Sequence, residues 1–412
     1  MDRDQVQLNA RLGVVELFAG AAGLAQGFLR SGHYDLLALS DIDTNAKATF
    51  EVNSPTVDYI ASDIRNLRPK QLLNAANGRR ISGLLGGPPC QGFSLAGRKD
   101  HEDTRNHYVS DYVRFVRALN PDFLVMENVP QLLFHPLFKS LLNDLSKRYE
   151  VMYGVLNAAL YGAPQTRHRA IVLAFHKRLG VAPTLPLPTH YFVKREVFNY
   201  YGKRLERPSN EAAVADVLGA DPVIASLPVL LGAVGESNTA LAPLVTIEEA
   251  IGDLRPLEAG RSTEEYPAQP ISDYQRAARN GSTRLLNHSA RHHSDPMLEL
   301  IKLIPEGGDL TDVNAQYWPK SHYSQAYGRL HRRGLARTIT TFFCNAGSGR
   351  FVHPQDSRTI TIREAARLQG FSDTFQLLGS QEQQMRLVGN AVPLALAQAL
   401  GERIWADLSP SS

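Results

Sequence analysis

The chain has 412 residues, 43% of them hydrophobic and 21% charged, which is typical of a globular protein with more than one core. Its two cysteines are too few for a disulfide framework. The N-terminus lacks the apolar region of a signal peptide, and no apolar run approaches the ~18 residues of a membrane span, so secreted and membrane classes are not expected. The net charge of +3 is compatible with a polyanionic partner.

The first part of the chain alternates short apolar runs with helical segments. The runs predicted to form buried parallel strands are Val14–Phe18, Leu36–Ser40, Ile81–Leu85, Phe123–Met126 and Ala170–Ala174. The predicted intervening helices are Leu24–Ser31, Asn45–Val52 and Tyr108–Leu119. This alternation predicts an α/β fold with a doubly wound, mostly parallel sheet, in which ligands bind at the carboxyl ends of the strands.

Composition changes beyond Phe175, where the proline-rich stretch Pro183–Pro188 indicates a linker. We therefore predict a first domain over residues 1–182, a smaller second domain over 183–375, and a C-terminal segment over 376–412 that returns to the first domain. The last apolar helix, Val392–Ile404, is expected to pack on the first domain.

A glycine-bearing turn between the first strand and the first helix, Phe18–Leu24, indicates a nucleotide-type cradle. Its spacing fits neither a dinucleotide fingerprint nor a P-loop. The second strand ends at Asp41–Asp43, where an acidic side chain could hold a ribose hydroxyl pair. A third strand ends at Asp63–Ile64, where the Asp63 carboxylate could accept from an adenine amine. The three features together favour an adenosyl ligand without a pyrophosphate.

A second turn, Gly86–Ser94 (GGPPCQGFS), follows a predicted buried strand and presents Cys90. Two glycines allow a sharp turn and two prolines fix the backbone, an arrangement that suits an aimed nucleophile. A buried structural cysteine beside a Gly/Pro turn is the alternative.

Two further strand ends carry charged side chains. Glu127 closes an apolar strand, where burial favours the neutral acid, and together with Cys90 from a separate strand end it is a candidate general acid. An acid at a helix N-terminus or on the surface is the alternative. In the stretch Gln165–Arg169, alternate residues share one face, so Arg167 and Arg169 could hold a carbonyl oxygen, a phosphate or a carboxylate. A solvated basic edge strand is the alternative.

The region from about Tyr191 to Arg350 loses the α/β rhythm and mixes aromatic with basic residues, which fits either nucleic-acid contact or charged loops. Its histidine-rich run, Asn287–His293, matches no standard zinc pattern, so we expect no metal. Thr340–Cys344 is predicted to form a strand.

The sequence as a whole resembles the DNA (cytosine-5)-methyltransferases of prokaryotic type. The segments that carry the resemblance, in chain order, are FAGAAG at Phe18–Gly23, SDID at Ser40–Asp43, SDI at Ser62–Ile64, GGPPCQGFS at Gly86–Ser94, MENV at Met126–Val129, QTRHR at Gln165–Arg169, RTITTFF at Arg337–Phe343, TIREAARLQGF at Thr361–Phe371 and VGNAVP at Val388–Pro393. Two positions depart from the family pattern, because Asp41 replaces a usual Glu and Ile42 replaces a frequent aromatic residue.

The resemblance implies a class I methyltransferase fold and S-adenosyl-L-methionine as the methyl donor. It implies that residues 1–182 form the catalytic, S-adenosylmethionine-binding domain and that the small domain over 183–375 carries target recognition. It implies that the Cys90 thiolate adds to C6 of a flipped cytosine, that Glu127 protonates N3, that Arg169 holds O2 and that Arg167 positions the thiolate turn. The residues it assigns to cofactor binding are Phe18, Gly20, Gly23, Leu24, Asp41, Ile42, Asp63, Ile64, Pro88 and Asn390. Leu95–Tyr108 is expected to be a loop that closes over DNA, and base reading is expected within Arg255–Arg333, with Pro319–Arg333 contacting the DNA backbone.

The resemblance implies double-stranded DNA as the partner and no membrane partner. The enzyme is expected to be a monomer in a prokaryotic cytoplasm, associated with the nucleoid. A cognate restriction endonuclease acting separately and a solitary modification role are both compatible with the sequence. An RNA-modifying relative and a catalytically dead DNA-binding relative are the alternatives. The long segment between QTRHR and RTITTFF disfavours the first, and the intact Cys, Glu and Arg disfavour the second.

Overall fold

A computed structural model describes residues 11–89, 107–191, 197–198, 204–205, 241–320, 322 and 326–409. The chain divides into two units. Unit 1 takes its described residues from Met1–Leu156, His168–Pro186 and Leu396–Ser412, and unit 2 from Asn157–Arg167 and Leu187–Ala395. The predicted functional division at residues 182 and 375 stays a prediction.

Unit 1 contains a seven-stranded sheet in the order β3-β2-β1-β4-β5-β8-β6 among the described residues. The strands are β1 (Leu12–Leu17), β2 (Tyr34–Asp41), β3 (Asp58–Ala61), β4 (Gly83–Gly86), β5 (Phe123–Asn128), β6 (Tyr149–Asn157) and β8 (His168–His176). The first five pair in parallel. Their apolar side chains pack in a core with the flanking helices, as the near-continuous hydrophobic runs predict.

The helices of this unit are α1 (Gly23–Arg30), α2 (Thr44–Asn53), α3 (Pro69–Ala75), α4 (His107–Leu119), α5 (Pro136–Leu145) and most of α11 (Leu394–Leu408). The prediction that the last helix packs on the first domain is confirmed, because the Tyr34 hydroxyl donates to the Gly401 carbonyl at 2.7 Å. His33 also stacks on Trp405 with 4.4 Å between ring centroids. The mostly parallel α/β sheet predicted from the sequence is therefore present.

One predicted strand has the wrong direction. The run Ala170–Ala174 lies in β8, which pairs antiparallel with β5, whereas we expected a parallel strand. An apolar run buried on both faces has the same composition in either direction, so composition alone does not set strand polarity. A third strand was expected to end at Asp63–Ile64, and β3 ends nearby at Ala61. The sequence analysis missed β6.

Unit 2 is built from short elements. Its helices are α6 (Ile247–Ile251), α7 (Asp273–Arg279), α8 (Asp295–Leu303), α9 (Ile362–Gln369) and α10 (Gln381–Asn390). Its described strands are two residues long: β7 (Gln165–Thr166), β9 (His190–Tyr191), β10 (Val197–Phe198), β11 (Arg204–Leu205), β12 (Ala242–Pro243) and β13 (Ala336–Arg337). Strand β7 pairs in parallel with β13 and thereby joins the QTRHR stretch to Arg337.

Buried ion pairs support α9. The Arg358 guanidinium donates to both carboxylate oxygens of Glu364 at 2.7 Å, and both side chains are fully buried. Arg367 pairs in the same way with Asp253 and Asp373. Removing one partner of such a pair leaves an uncompensated buried charge, so these bonds constrain the sequence of α9 strongly.

Two histidines of the predicted run are buried within this packing. Nδ1 and Nε2 of His288 lie 3.0 Å from the Thr361 hydroxyl and 2.9 Å from the Leu254 carbonyl, and His293 contacts Thr359. Burial lowers the pKa of both imidazoles. These two side chains are therefore hydrogen-bonded parts of the fold.

Within the part of the chain that the structure describes, no helix has both the length and the apolar character needed to cross a bilayer.

Candidate active site

The turn after β1 is held from two neighbouring strands. The Gly20 N–H donates to Oδ2 of Asp41 at 2.9 Å, and the Gly20 carbonyl accepts from the Tyr59 hydroxyl at 2.9 Å. Gly20 itself has a φ of 51°, in the left-handed region that glycine adopts at no steric cost. Both peptide groups of this residue are therefore fixed by β2 and β3.

Two other residues of this turn adopt left-handed backbone without being glycine: Phe18, with a φ of 56°, and Ala22, with a φ of 58°. This region costs roughly 1–2 kcal/mol for an L-residue, and such strain collects at functional turns. The Phe18 ring meets the Tyr108 ring edge-on, with 6.0 Å between centroids.

Glu16 lies one residue before the end of β1, and the sequence analysis assigned it no role. It is buried, and its Oε2 accepts from the Ala25 N–H at 2.8 Å. Burial raises the pKa of Glu16 to about 8, opposed by that hydrogen bond and assisted by the nearby Asp41 and Glu127 carboxylates. Its position next to the glycine turn is the feature of the sequence that could have marked Glu16 as a site residue.

Among the predicted cofactor residues, Asp41 is the last residue of β2 and Ile42 follows it. Burial raises the pKa of Asp41, although N–H donors from Asp43 and Gly20 oppose this. Ile42 is 65% exposed, so its side chain is open to a ligand.

The second predicted acid, Asp63, forms an ion pair with Arg65. The Arg65 guanidinium lies 2.5 Å from its Oδ2, and hydrogen bonds from Arg65 lower the pKa of Asp63 to about 2. Ile64 is buried in the hydrophobic core. Leu24 and Pro88 are also buried, whereas Asn390, the last residue of α10, is exposed.

Tight packing shapes the start of the cysteine turn. A Cβ added at Gly86 would lie 2.8 Å from the Tyr112 ring, and one at Gly87 would lie 3.1 Å from Oε2 of Glu127. The Pro88 carbonyl accepts from Nδ2 of Asn128 at 2.9 Å. Asn128 thus ties this turn to the strand that carries the candidate acid, a role the sequence analysis missed although Asn128 lies within MENV.

The predicted nucleophile Cys90 lies outside the described residues, as does most of the predicted closing loop Leu95–Tyr108.

Glu127 and Arg169 are brought together by the pairing of β5 with β8. The Arg169 Nε lies 2.6 Å from Oε1 of Glu127, and both side chains are nearly buried, at 13% and 11% exposure. Nη1 of Arg169 also donates to the His168 carbonyl at 2.7 Å. A carboxyl and a guanidinium therefore stand side by side, with Gly87 of the cysteine turn against the carboxyl.

Arg167 belongs to unit 2 and is 2% exposed. Its Nη1 donates to the Ile339 carbonyl at 2.9 Å and its Nη2 to the Gly389 carbonyl at 3.0 Å. This side chain thus holds other motif segments of its own unit.

The second cysteine, Cys344, is fully buried, and its thiol donates to the Ile360 carbonyl at 3.5 Å. The predicted strand Thr340–Cys344 is wrong, because these residues form a turn in which the Asn345 N–H donates to the Phe342 carbonyl. Burial raises the pKa of the Cys344 thiol, so it is suited to packing and not to nucleophilic attack.

In the predicted base-reading stretch Arg255–Arg333, two arginines make contacts that stabilise the fold. Arg279 pairs with Asp253, and the buried Arg329 donates to backbone carbonyls, including that of Ile304 at 2.7 Å. Lys320, Arg332 and Arg333 are exposed, and Nε of Arg332 lies 3.6 Å from Oε1 of Glu306.

Comparison with known proteins identifies the family of the chain. A family model described as C-5 cytosine-specific DNA methylase matches residues 12–406. The chain is 30% identical to the type II methyltransferase M.DdeI of Desulfomicrobium norvegicum, over 95% of this chain and 88% of that protein. It is 31% identical to the type II methyltransferase M1.HphI of Haemophilus parahaemolyticus, over 95% and 86%.

Among solved structures, it resembles a putative DNA modification methyltransferase encoded within an Escherichia coli prophage, with a TM-score of 0.70 and 22% identity over 96% of this chain and 99% of that one. That likeness supports the fold. The family match over nearly the whole chain, together with the strand-end residues described above, leads to one conclusion: the chain belongs to the C-5 cytosine-specific DNA methylase family and is a DNA (cytosine-5)-methyltransferase.

Proposed function

We propose that the chain transfers a methyl group from S-adenosyl-L-methionine to C5 of a flipped cytosine, through a covalent bond between Cys90 and C6. The observation that carries the proposal is the Glu127–Arg169 pair, which stands against the turn that leads to Cys90. Acid, base-holding cation and nucleophile turn all come from strand ends of one sheet.

C5 of cytosine is a poor nucleophile, and attack by the cysteine makes it reactive enough to accept a methyl group. Addition of the Cys90 thiolate to C6 breaks the C5–C6 π bond, and uptake of a proton at N3 leaves an enamine whose C4–C5 double bond places electron density at C5. After C5 has taken the methyl group, with S-adenosylhomocysteine as the leaving group, C5 loses its hydrogen as a proton and N3 gives up the proton it had taken. The C6–S bond then breaks, and the Cys90 thiolate and the C5–C6 double bond are restored.

Glu127 and Arg169 suit two neighbouring polar atoms of the cytosine base, N3 of the ring and the exocyclic O2. N3 and O2 flank the same carbon, and the two side chains lie 2.6 Å apart. Glu127 delivers the proton to N3, and Arg169 holds O2 and spreads the charge that develops there. Arg167 is the positioning arginine of the stretch, since two of its guanidinium nitrogens hold backbone carbonyls.

The cradle after β1 fits an adenosyl ligand. Among the described residues, a Cβ added at Gly20 would meet no heavy atom within 4 Å, so there is open space beside the clamped turn. Asp41 at the end of β2 would hold the ribose, the exposed Ile42 would cover the adenine, and Asn390 would contact the methionine part. When bound, S-adenosylmethionine supplies the electrophilic methyl group that C5 accepts.

Access to C5 requires the cytosine to leave the DNA stack, so base flipping is part of the proposal. Double-stranded DNA is the proposed partner, and reading of its sequence is assigned to Arg255–Arg333. A restriction–modification role is supported by the type II names of M.DdeI and M1.HphI, and a solitary modification role remains the second possibility. We place the enzyme in a prokaryotic cytoplasm, acting as a monomer.

Bisulfite sequencing of DNA from a host that expresses the chain tests the proposal. The expected result is protection of one cytosine within a single short sequence, absent from a host that expresses Cys90→Ser. Protection that persists with Cys90→Ser would contradict the covalent route. Modified cytosine confined to RNA would contradict the proposal that DNA is the substrate.

A further inference from the structure

Two buried glutamines, Gln165 of β7 and Gln369 of α9, face each other inside unit 2. Both are fully buried. Nε2 of Gln165 donates to Oε1 of Gln369 at 2.9 Å and to the Leu368 carbonyl at 2.7 Å, and its Oε1 accepts from the Ile339 N–H at 3.2 Å. The Gln165 amide therefore uses both N–H donors and its oxygen.

The same side chains reach the end of α10. Nε2 of Gln369 donates to the Val388 carbonyl at 2.7 Å, and Nη2 of Arg167 donates to the Gly389 carbonyl at 3.0 Å. The last four carbonyls of a helix have no partner within the helix, and a cation is favourable at that end. Gln369 and Arg167 thus cap the helix whose last residue is Asn390.

Ile339 joins the two capping groups. Its N–H bonds to Gln165, and its carbonyl accepts from Nη1 of Arg167 at 2.9 Å. A close backbone contact completes the set, because a Cβ at Gly389 would lie 2.3 Å from the Thr340 carbonyl oxygen. The helix end is therefore held by hydrogen bonds and by a close backbone contact that leaves no room for a side chain at Gly389.

We propose that Gln165 and Gln369 are positioning residues that fix the C-terminal end of α10 and so hold Asn390 in its cofactor-binding orientation. The inference rests on the proposed function, which assigns Asn390 to the cofactor. It extends that function to two side chains that touch neither cofactor nor DNA, and it explains why an uncharged amide pair is buried here. A carboxylate in place of either amide would lack the donors that the helix end and Leu368 require.

The test replaces Gln369 by Glu, which keeps the size and the acceptor for Gln165 but removes the donor to Val388. Gln381→Glu is the matched control, since it makes the same change in the first turn of the same helix, where an acid is favourable. Two quantities are measured on folded protein: hydrogen exchange of the amides over residues 388–393, and calorimetric affinity for S-adenosylhomocysteine.

We expect Gln369→Glu to speed local exchange and to weaken S-adenosylhomocysteine binding about tenfold, or about 1.4 kcal/mol, while Gln381→Glu changes neither. Gln369→Asn, which stays uncharged but is one methylene shorter, is the second variant if the first is insoluble, with smaller changes in the same direction. Unchanged exchange in a folded variant would overturn the capping role.

A double-mutant cycle with Asn390→Ala separates positioning from general destabilisation. If the glutamines act through Asn390, Gln369→Glu costs little further affinity once Asn390 is Ala. A full, additive loss in that background would overturn the positioning role. If Asn390→Ala alone binds S-adenosylhomocysteine like the parent, the cofactor assignment within the proposed function fails instead, and the exchange data still decide the capping role.

Discussion

Acid should destabilise unit 2 through His353, which is 1% exposed and packs against the Arg358–Glu364 pair. Its Nδ1 accepts from the N–H groups of Gln355 and Asp356, which favours the neutral ring. Burial, followed by the nearby Arg358, lowers the pKa of His353 to about 3, although the Glu364 and Asp356 carboxylates oppose this shift.

The direction and size of the effect follow from linkage. The ordinary pKa of 6.5 in the unfolded chain lies above the folded value, so between them the unfolded chain binds the proton more readily. Stability is therefore lost as the pH falls below 6.5. Between about pH 7.5 and about pH 5 the loss from this one group is on the order of 2 kcal/mol.

The perturbation is His353→Asn, which keeps an acceptor near the position of Nδ1 but does not titrate. The two tryptophans allow a local assay, because Trp318 lies in unit 2 and Trp405 in unit 1. In a Trp405→Phe background, urea unfolding followed by fluorescence reports unit 2 alone. The free energy of unfolding of the variant should be lower at neutral pH but should fall about 2 kcal/mol less on acidification.

The exposed His322 supplies the control, because His322→Asn should leave the pH dependence unchanged. An equal loss between neutral and acid pH in the parent and in His353→Asn would refute the argument, since the other buried histidines are present in both proteins.

Three further predictions concern the site and its supports. Glu127→Gln should lower turnover by roughly 10²–10⁴-fold, the usual scale for a lost general acid, with little change in cofactor affinity; collapse of cofactor binding with intact single-turnover chemistry would make it a cofactor ligand. Gly389→Ala should cost at least about 1–3 kcal/mol of stability, because its Cβ would strike the Thr340 backbone, whereas Gly401→Ala, whose nearest neighbour lies at 3.3 Å, should fold; equal melting temperatures would contradict the close contact. Exchange of Arg255–Arg333 for the segment of a relative with another target should move the methylated sequence, as bisulfite sequencing would read out, and an unchanged sequence would place recognition elsewhere.

The sheet was largely predictable, because buried parallel strands need continuous apolar runs and each predicted run lies in or overlaps a strand. Strand direction was not, since β8 has the same kind of run as its neighbours. Strand β6, which is partly exposed in its first half, lacks a strong run and was missed. Thr340–Cys344 has strand-like composition, but hydrogen bonds from Asn345 and Ser348 to the Phe342 carbonyl impose a turn.

The site was predictable to the extent that its residues sit at strand ends. Glu127 and Arg169 could be named from the sequence, and the pairing of β5 with β8 explains why they meet. The supporting side chains could not be named, because Tyr59, Asn128 and Gln369 act on backbone groups distant in sequence. Such bonds to peptide groups leave no pattern in the residues they hold.

The central claim is covalent catalysis by Cys90, and trapping on DNA with 5-fluorocytosine at the target position tests it most directly. Fluorine cannot leave C5 as a cation, so elimination of the cysteine stalls after methyl transfer. We expect a denaturing gel to show an enzyme–DNA adduct that requires S-adenosylmethionine, persists in Cys344→Ala and disappears in Cys90→Ser. No cofactor-dependent adduct, together with N4-methylcytosine in the digested product, would contradict the mechanism.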